Sequence, residues 1–257
     1  MQTLTSSTSG FIQTVALNRP EAKNAFNETM VDELHAVFSS VSEAVRAVIL
    51  TGGGNVFCAG ADINWMRDSA QRSESDNQKD AARMEAMFRA IDECPAPVIG
   101  RINGSALGGG MGLLACCDIA VSVDTAQFGF TEVRLGIVPA VISPYSLAKI
   151  GERAARRFFL TGELFDAHGA REIGLLHDVV TSDKLDSAVN GIADSLLKNG
   201  PTAVRTAKQL IREVARMDRE RAREHSTATI ARVRTSPEGQ EGLTAFLEKR
   251  KPNWLDK

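Results

Sequence analysis

Two glycine-rich segments hold the residue types and spacing best suited to chemistry. Gly104-Ser105-Ala106-Leu107-Gly108-Gly109-Gly110-Met111-Gly112 leads from the apolar strand pattern at Val98-Ile99 into the start of a helix. Unpaired N–H groups and the helix dipole at such a start favour negative charge, so an oxyanion fits there. Two other readings stand beside this one. Glycines also let backbones pack closely, and Gly110-Met111-Gly112-Leu113-Leu114-Ala115 satisfies the loose dinucleotide pattern G-x-G-x-x-A, with Asp124 and Glu132 as ribose partners. The dinucleotide reading carries less weight, because seven residues separate Ile102 from Gly110 and no second βαβ unit follows Val123. The other segment, Thr51-Gly52-Gly53-Gly54 through Ile63, also follows a strand pattern, but no Gly-Lys-Ser/Thr makes it a phosphate loop. Small residues at Ala59, Gly60 and Ala61 let a ligand approach backbone N–H groups, so the two loops together offer two donors to one oxygen.

Elsewhere the polar residues read more plainly. His35, His168, His177 and His225 have no Cys, His or carboxylate at ligand spacing, so no metal is expected. Cys58, Cys94, Cys116 and Cys117 lie among apolar residues without C-x-x-C spacing, which reads as buried free thiols. Arg205, Lys208, Arg212, Arg216, Arg219, Arg221 and Arg223 could touch nucleic-acid phosphates. The interleaved Glu213, Asp218, Glu220 and Glu224 make a solvated helix face the expectation. Asp166 before Ala167-His168-Gly169-Ala170 reads as a helix cap.

The elements that must position these groups follow from hydrophobic period. Phe11–Leu17 alternates as a half-buried strand and opens the chain. Val31, Leu34, Val37, Phe38 and Val41 make a helical stripe, and Ala47-Val48-Ile49-Leu50 is a buried strand. The polar stretch from Asp68 to Lys79 reads as a mobile loop, ahead of a helix marked by Ala81, Met84, Met87, Phe88 and Ile91. Strand, glycine turn, short helix and strand then recur through Val121, and the last third is nearly all helix, with stripes from Leu185 to Leu196 and from Val204 to Val214. This pattern is an α/β core with a helical layer.

Composition sets the outer bounds. A chain of 257 residues with 43% hydrophobic residues buries a large core without disulfides or metal. A formal charge of −2 offers no general field for nucleic acid or anionic membrane. No apolar run reaches the ~18 residues needed to span a bilayer. The opening Met1-Gln2-Thr3-Leu4-Thr5-Ser6-Ser7 has neither the apolar core of a signal peptide nor the arginines of a transit peptide, so a cytoplasmic protein is expected.

Cys58-Ala59-Gly60-Ala61-Asp62-Ile63, the run Gly104 to Gly112 and Cys117-Asp118-Ile119 resemble the crotonase (enoyl-CoA hydratase/isomerase) superfamily. The resemblance covers nearly the whole chain through Leu17-Asn18-Arg19-Pro20, Phe128 to Glu132, Leu135-Gly136-Ile137-Val138-Pro139, Thr161-Gly162-Glu163, Gly174-Leu175-Leu176 and Phe246 to Arg250. It implies the crotonase fold, with repeated ββα units over residues 1–185 and a helical trimerisation region over 186–257. It also implies a thioester enzyme in which the amides of Ala61 and Gly109 hold the substrate oxygen as an enolate forms. Coenzyme A is then the substrate's carrier, no other cofactor being expected, and it lies against Ala22, Lys23, Ala59, Asp62 and Ile63. Phe246 and Lys249 reach it from a neighbouring subunit of a trimer or dimer of trimers. Glu132 matches the family's carboxylate beside the substrate α-carbon, and flanking Phe128, Phe130, Val133 and Leu135 favour partial burial and a raised pKa.

The chain departs from the family at one position above all. Standard hydratases resembling it carry a second glutamate where this chain has Gly112, Ala140 replaces a glycine of the water pocket, and Ser143-Pro144-Tyr145 stands where many members have Gly-Thr-Gln. A single carboxylate is the pattern of an isomerase. The run Thr131 to Tyr145 instead resembles bacterial methylglutaconyl-CoA and isohexenylglutaconyl-CoA hydratases, which favours hydration of a branched glutaconyl-type thioester. Trp65, Met66, Gly112, Ala140 and Tyr145 are the expected lining of the acyl pocket, with Tyr145 a candidate partner for Glu132 through water. The alternatives are an enoyl-CoA isomerase and a non-catalytic RNA-binding protein using residues 205–223.

Overall fold

The computed structural model describes residues 1–255. It begins with an antiparallel hairpin of β1 (Leu4–Ser9) and β2 (Ile12–Leu17), so the strand expected to open the chain is the second one. Of β1, only Leu4 is buried, and its Ser and Thr residues give no apolar alternation. It is an edge strand held by its ladder to β2.

Asn27 caps α1 (Glu28–Ser39) by accepting from the Met30 N–H, and Met30, Val31, Leu34 and Phe38 form its buried face. All of β3 (Ala47–Gly52) is buried. Next come α2 (Ile63–Ser69) and α3 (Glu74–Asp92), with Ser73 capping the latter. The expected loop from Asp68 to Lys79 is therefore mostly the end of one helix and the start of another. Its polar residues suit a helix start, because Glu74 and Asp76 lie where the dipole favours negative charge.

After β4 (Val98–Ile102) the chain forms β5 (Ala106–Leu107), α4 (Gly109–Ala115), β6 (Ile119–Val123) and β7 (Gln127–Gly129). Then follow α5 (Ser143–Thr161), interrupted at Gly151, β8 (Phe165–Asp166), α6 (Ala167–Glu172) and β9 (Asp178–Val180). Asp166 caps α6, accepting from the Gly169 N–H at 2.7 Å. The main sheet runs β1-β2-β3-β4-β6-β9, parallel from β2 onward, and β5-β7-β8 form a small second sheet. The ends of β3 and β4 thus feed the two glycine loops from adjacent strands.

Four helices finish the chain: α7 (Leu185–Leu197), α8 (Pro201–Val214), α9 (Arg219–Thr235) and α10 (Pro237–Leu247). The junction at residues 185 and 186 falls at the start of α7, whose Leu185, Val189 and Ala193 belong to the main core. Of the basic run expected on a solvated face, Arg216, Arg219, Arg221 and Arg223 are exposed as expected, but Arg205, Lys208 and Arg212 of α8 turn inward. Arg205 donates to the Glu43 and Val45 carbonyls, Arg212 pairs with Asp92 and Glu93, and Lys208 is buried with its Nζ 2.7 Å from Asp118. Asp118 also accepts the Val98 N–H at 2.7 Å, so this pair joins α8 to β4 and β6. Among the described residues no helix is long and apolar enough to cross a membrane.

Because Lys208→Ala leaves the half-buried Asp118 carboxylate without its cation, it should cost about 2–3 kcal/mol. Urea denaturation of the variant and its parent measures this, and a change under 0.5 kcal/mol, the ordinary range for surface substitutions, would show that the pair does not anchor α8.

Candidate active site

Backbone hydrogen bonds join the two glycine loops. The Phe57 and Cys58 N–H groups both donate to the Ser105 carbonyl at 3.2 Å, and Leu107 N–H returns to the Cys58 carbonyl at 3.0 Å. At Gly60, where φ is +97°, a Cβ would lie 2.9 Å from the Leu107 oxygen and 3.3 Å from the Gly109 nitrogen. A side chain there would push the loops apart, as would one on Gly110 against the Cys58 carbonyl. Ala61 forms a parallel bridge with Phe26, in which Phe26 N–H donates to Gly60 at 2.8 Å and Asp62 N–H to Phe26 at 2.9 Å. In that pairing the Ala61 N–H points away from Phe26. Gly109 begins α4, so its N–H has no partner within the helix. Among the described residues neither amide has an acceptor, and both belong to the lining of one cavity.

Glu132 stands over the second loop. It starts a tight turn through Leu135, and a Cβ on Gly108 would lie 3.8 Å from its Oε1. Phe128 and Phe130 are fully buried beneath it. Its Oε2 is shut off from water with no hydrogen-bond partner among the described residues, and burial raises its pKa above the ordinary glutamate value. A carboxyl so placed exchanges a proton with a bound molecule more readily than a solvated one does.

These groups face a cavity of about 1090 Å³ between the loops, α2 and α3. Ala22, Lys23, Ala59, Asp62 and Ile63 line it, as do Trp65 and Met66. Ile63 is 78% exposed, which suits a surface waiting for a ligand rather than a core position. Trp65 packs edge-on against Phe26, with ring centroids 6.3 Å apart. The Asp62 oxygens have internal partners: burial raises its pKa, but hydrogen bonds from Arg19 and the Asn64 N–H outweigh that and hold it below the usual range. Met84 and the buried Asp80 also line the cavity. The spacing of Asp80, Met84, Met87 and Ile91 puts all four on one helix face, a signal that marks Asp80 as inward-facing.

Three expected pocket residues lie elsewhere. Gly112 is buried under Ile142 and Phe88; a Cβ there would run into Ile142 and come within 2.8 Å of Phe88. Ala140 is exposed and outside the cavity lining. Tyr145 faces a separate cavity of about 250 Å³, where its hydroxyl lies 3.4 Å from Glu85 Oε1 and its ring packs on Phe88. It is therefore not poised to pass water to Glu132. Phe246 and Lys249 do not line the cavity of their own chain, and Phe246 is 81% exposed. Cys58, although close to the loops, is no nucleophile: burial pushes its thiol to about 12. Among the described residues no three His, Cys, Asp or Glu side chains group as metal ligands.

The enoyl-CoA hydratase/isomerase family model matches residues 7–257. The crotonyl-CoA hydratase of Syntrophomonas wolfei is 36% identical over 94% of this chain and 93% of its own length. The 2,3-dehydroadipyl-CoA hydratase of Escherichia coli is 31% identical over 93% of each chain. A crystal structure of an enoyl-CoA hydratase from Shewanella pealeana superposes with a TM-score of 0.94 and 39% identity, covering 98% of this chain and 96% of that one. With the mixed sheet, the small second sheet and the helical layer, these likenesses identify the crotonase fold, and the chain belongs to the enoyl-CoA hydratase/isomerase family.

Proposed function

We propose that the protein hydrates an α,β-unsaturated acyl-CoA, and that the convergence of two unpartnered amides with one desolvated carboxylate carries this reading. The thioester oxygen accepts from the Ala61 and Gly109 N–H groups. Glu132 takes a proton from water, the hydroxide oxygen bonds to the β-carbon, and the π electrons move to the thioester oxygen as an enolate. Glu132 then returns the proton to the α-carbon, so one water is added and the carboxylate is restored. Preorganised amide donors each supply roughly 2.7–4 kcal/mol toward such an oxyanion. Coenzyme A is the carrier, lying along Ala22, Lys23, Ala59 and Ile63, with Asp62 acting on the loop rather than on the coenzyme.

The acyl group we assign is of the branched glutaconyl type. The resemblance of Thr131 to Tyr145 supports it, and Trp65, Met66 and Met84 give the cavity an apolar stretch for the acyl group. A second reading, isomerisation between α and γ carbons, draws on the same single carboxylate. Thioesters of 3-methylglutaconate and crotonate, followed by mass and enoyl absorbance, separate these readings. Hydration adds one water, whereas isomerisation leaves the mass unchanged. Faster turnover of the crotonyl thioester would overturn the glutaconyl assignment while leaving hydration standing.

Replacing Glu132 by Gln keeps the shape and removes proton transfer, so turnover should fall at least ~100-fold with binding largely kept. In the parent, kcat/KM should fall as pH drops through a pKa above the ordinary glutamate value, because the base must be ionised and burial opposes ionisation. Parental rates in Glu132→Gln would remove the residue from the mechanism.

A second acid cannot be restored at Gly112. Even Gly112→Ala overpacks Phe88 and Ile142 and should cost about 1–3 kcal/mol, read as a lower Tm, while Gly112→Glu adds a buried unpaired charge and should not gain hydratase activity. A stable Gly112→Glu variant that hydrates crotonyl-CoA faster than its parent would contradict this.

We further assign a trimer or dimer of trimers, in which Phe246 and Lys249 complete a neighbour's coenzyme site. Exposed Ile211, Phe246 and Leu247, at 71%, 81% and 78%, support an unfilled contact surface. Lys249→Ala should weaken coenzyme A binding about tenfold, the loss of one charge-assisted hydrogen bond, while truncation after Gly239 should also reduce the mass seen by light scattering. A monomeric parent would refute the assembly.

A further inference from the structure

The two amides of the oxyanion site are held by different means. The Gly109 N–H is fixed by the helix it begins, whereas Ala61 lies in a loop and depends on what grips its neighbours. Asp62, the next residue, accepts from Arg19 Nη2 at 2.8 Å and from the Asn64 N–H at 2.9 Å. Arg19 also donates Nη1 to the Ala25 carbonyl at 2.5 Å, and its backbone N–H to Asn24 Oδ1 at 3.0 Å. The Asn24 amide in turn donates to the Gly53 and Val56 carbonyls, both at 2.8 Å. One guanidinium therefore ties the segment before Phe26 to the residue after Ala61, and Phe26 is the backbone partner that orients Ala61.

From this geometry we propose that Arg19 and Asp62 are the positioning pair for the Ala61 amide, setting the direction in which its N–H meets the thioester oxygen. The inference rests on the enolate reading above. The Arg19 and Asp62 side chains are 19% and 11% exposed, and Arg19 does not reach the cavity lining, so it acts through Asp62 and not on substrate. A helix cap alone does not require the pair. One Asp62 oxygen suffices for the Asn64 N–H, and an uncharged Asn caps equally well. Buried ion pairs are a poor route to stability compared with apolar packing, but they fix geometry when both partners are fully hydrogen-bonded. An error near 1 Å in a positioned group costs about 100-fold in rate.

The test uses Asp62→Asn, Arg19→Gln and Arg19→Lys, each checked for native circular dichroism. Hydration of the enoyl thioester is measured beside α-proton exchange of butyryl-CoA in D2O, which needs the enolate but no water addition, and beside the dissociation constant of free coenzyme A, which does not use the amide. Asp62→Asn and Arg19→Gln should lose about 30- to 100-fold in both rates, with coenzyme affinity within about twofold of the parent. Arg19→Lys should recover part of the loss, since it keeps the charge and gives up the second hydrogen bond. Folded Asp62→Asn with parental exchange, or losses that simply follow coenzyme affinity, would overturn the proposal. A parent that exchanges without hydrating overturns the hydratase reading alone, and the variants' exchange rates still decide the role of the pair. A parent that does neither overturns both.

Discussion

The site depends on close approach between the backbones of two loops. Phe57, Cys58 and Leu107 exchange main-chain hydrogen bonds across the gap, and Gly60 and Gly110 leave no room there for a Cβ. This contact brings the Ala61 and Gly109 amides to one cavity, although they are 48 residues apart in sequence. Because the donors are main chain, the proposed oxyanion site needs no rotamer to be frozen and little reorganisation as charge develops. The parallel pairing of β3 and β4 brings the loops together, since each leaves its strand at the same end of the sheet.

The same region sorts its carboxylates by environment. Asp62 and Glu132 both lie against the cavity, yet Asp62 is held ionised by a guanidinium and a helix N-terminus while Glu132 has a buried oxygen with no partner. Divergent environments separate a structural charge from a group suited to moving protons. The place that a second acid would take is filled by Phe88 and Ile142, which come from α3 and from the residue before α5. Of the three carboxylates on the cavity, Asp62 is paired with Arg19 and Asp80 with Arg72 and Arg83, so Glu132 is the one without a cation partner among the described residues.

How much was legible in the sequence follows from how local each cause is. The buried strand Ala47–Leu50, the α1 stripe from Val31 to Phe38 and the Asp166 cap depend on short-range period and turn chemistry and are found as read, whereas Val41 of that stripe lies past the end of α1. The glycine loops advertised close backbone approach, but the choice of Ala61 and Gly109 as the amides proposed to meet the ligand rests on family resemblance, because backbone direction leaves no mark in residue type. β1 escaped notice since an edge strand of Ser and Thr is made by its ladder. Tyr145 lies in the right sequence run and still faces elsewhere, its ring against Phe88 and its hydroxyl near Glu85. Gly112 is expected in the acyl-pocket lining, but side chains from 24 residues before it and 30 after it cover the position. Arg19 stood in plain view within Leu17-Asn18-Arg19-Pro20, but its partner is 43 residues away.

The helical layer shows most clearly how charge alone misleads. A run of Arg and Lys along α8 invites a reading as solvated surface, yet Arg205, Lys208 and Arg212 turn toward the core and find carbonyls or carboxylates there. Long basic side chains manage this because their methylene stems pack against apolar neighbours while the heads reach polar partners. Ile211 is meanwhile left 71% exposed on the outer face of α8, and α10 adds Phe246 and Leu247 to the exposed apolar surface. Covering each such side chain is worth roughly 1.5–3 kcal/mol. A lone chain forgoes that gain at several positions at once, which is the physical ground for the proposed assembly. The inward basic side chains of α8 and the exposed apolar side chains of the layer are thus two sides of one arrangement: charges neutralised against the protein's own core leave apolar residues on the outer face, the feature on which the proposed assembly rests.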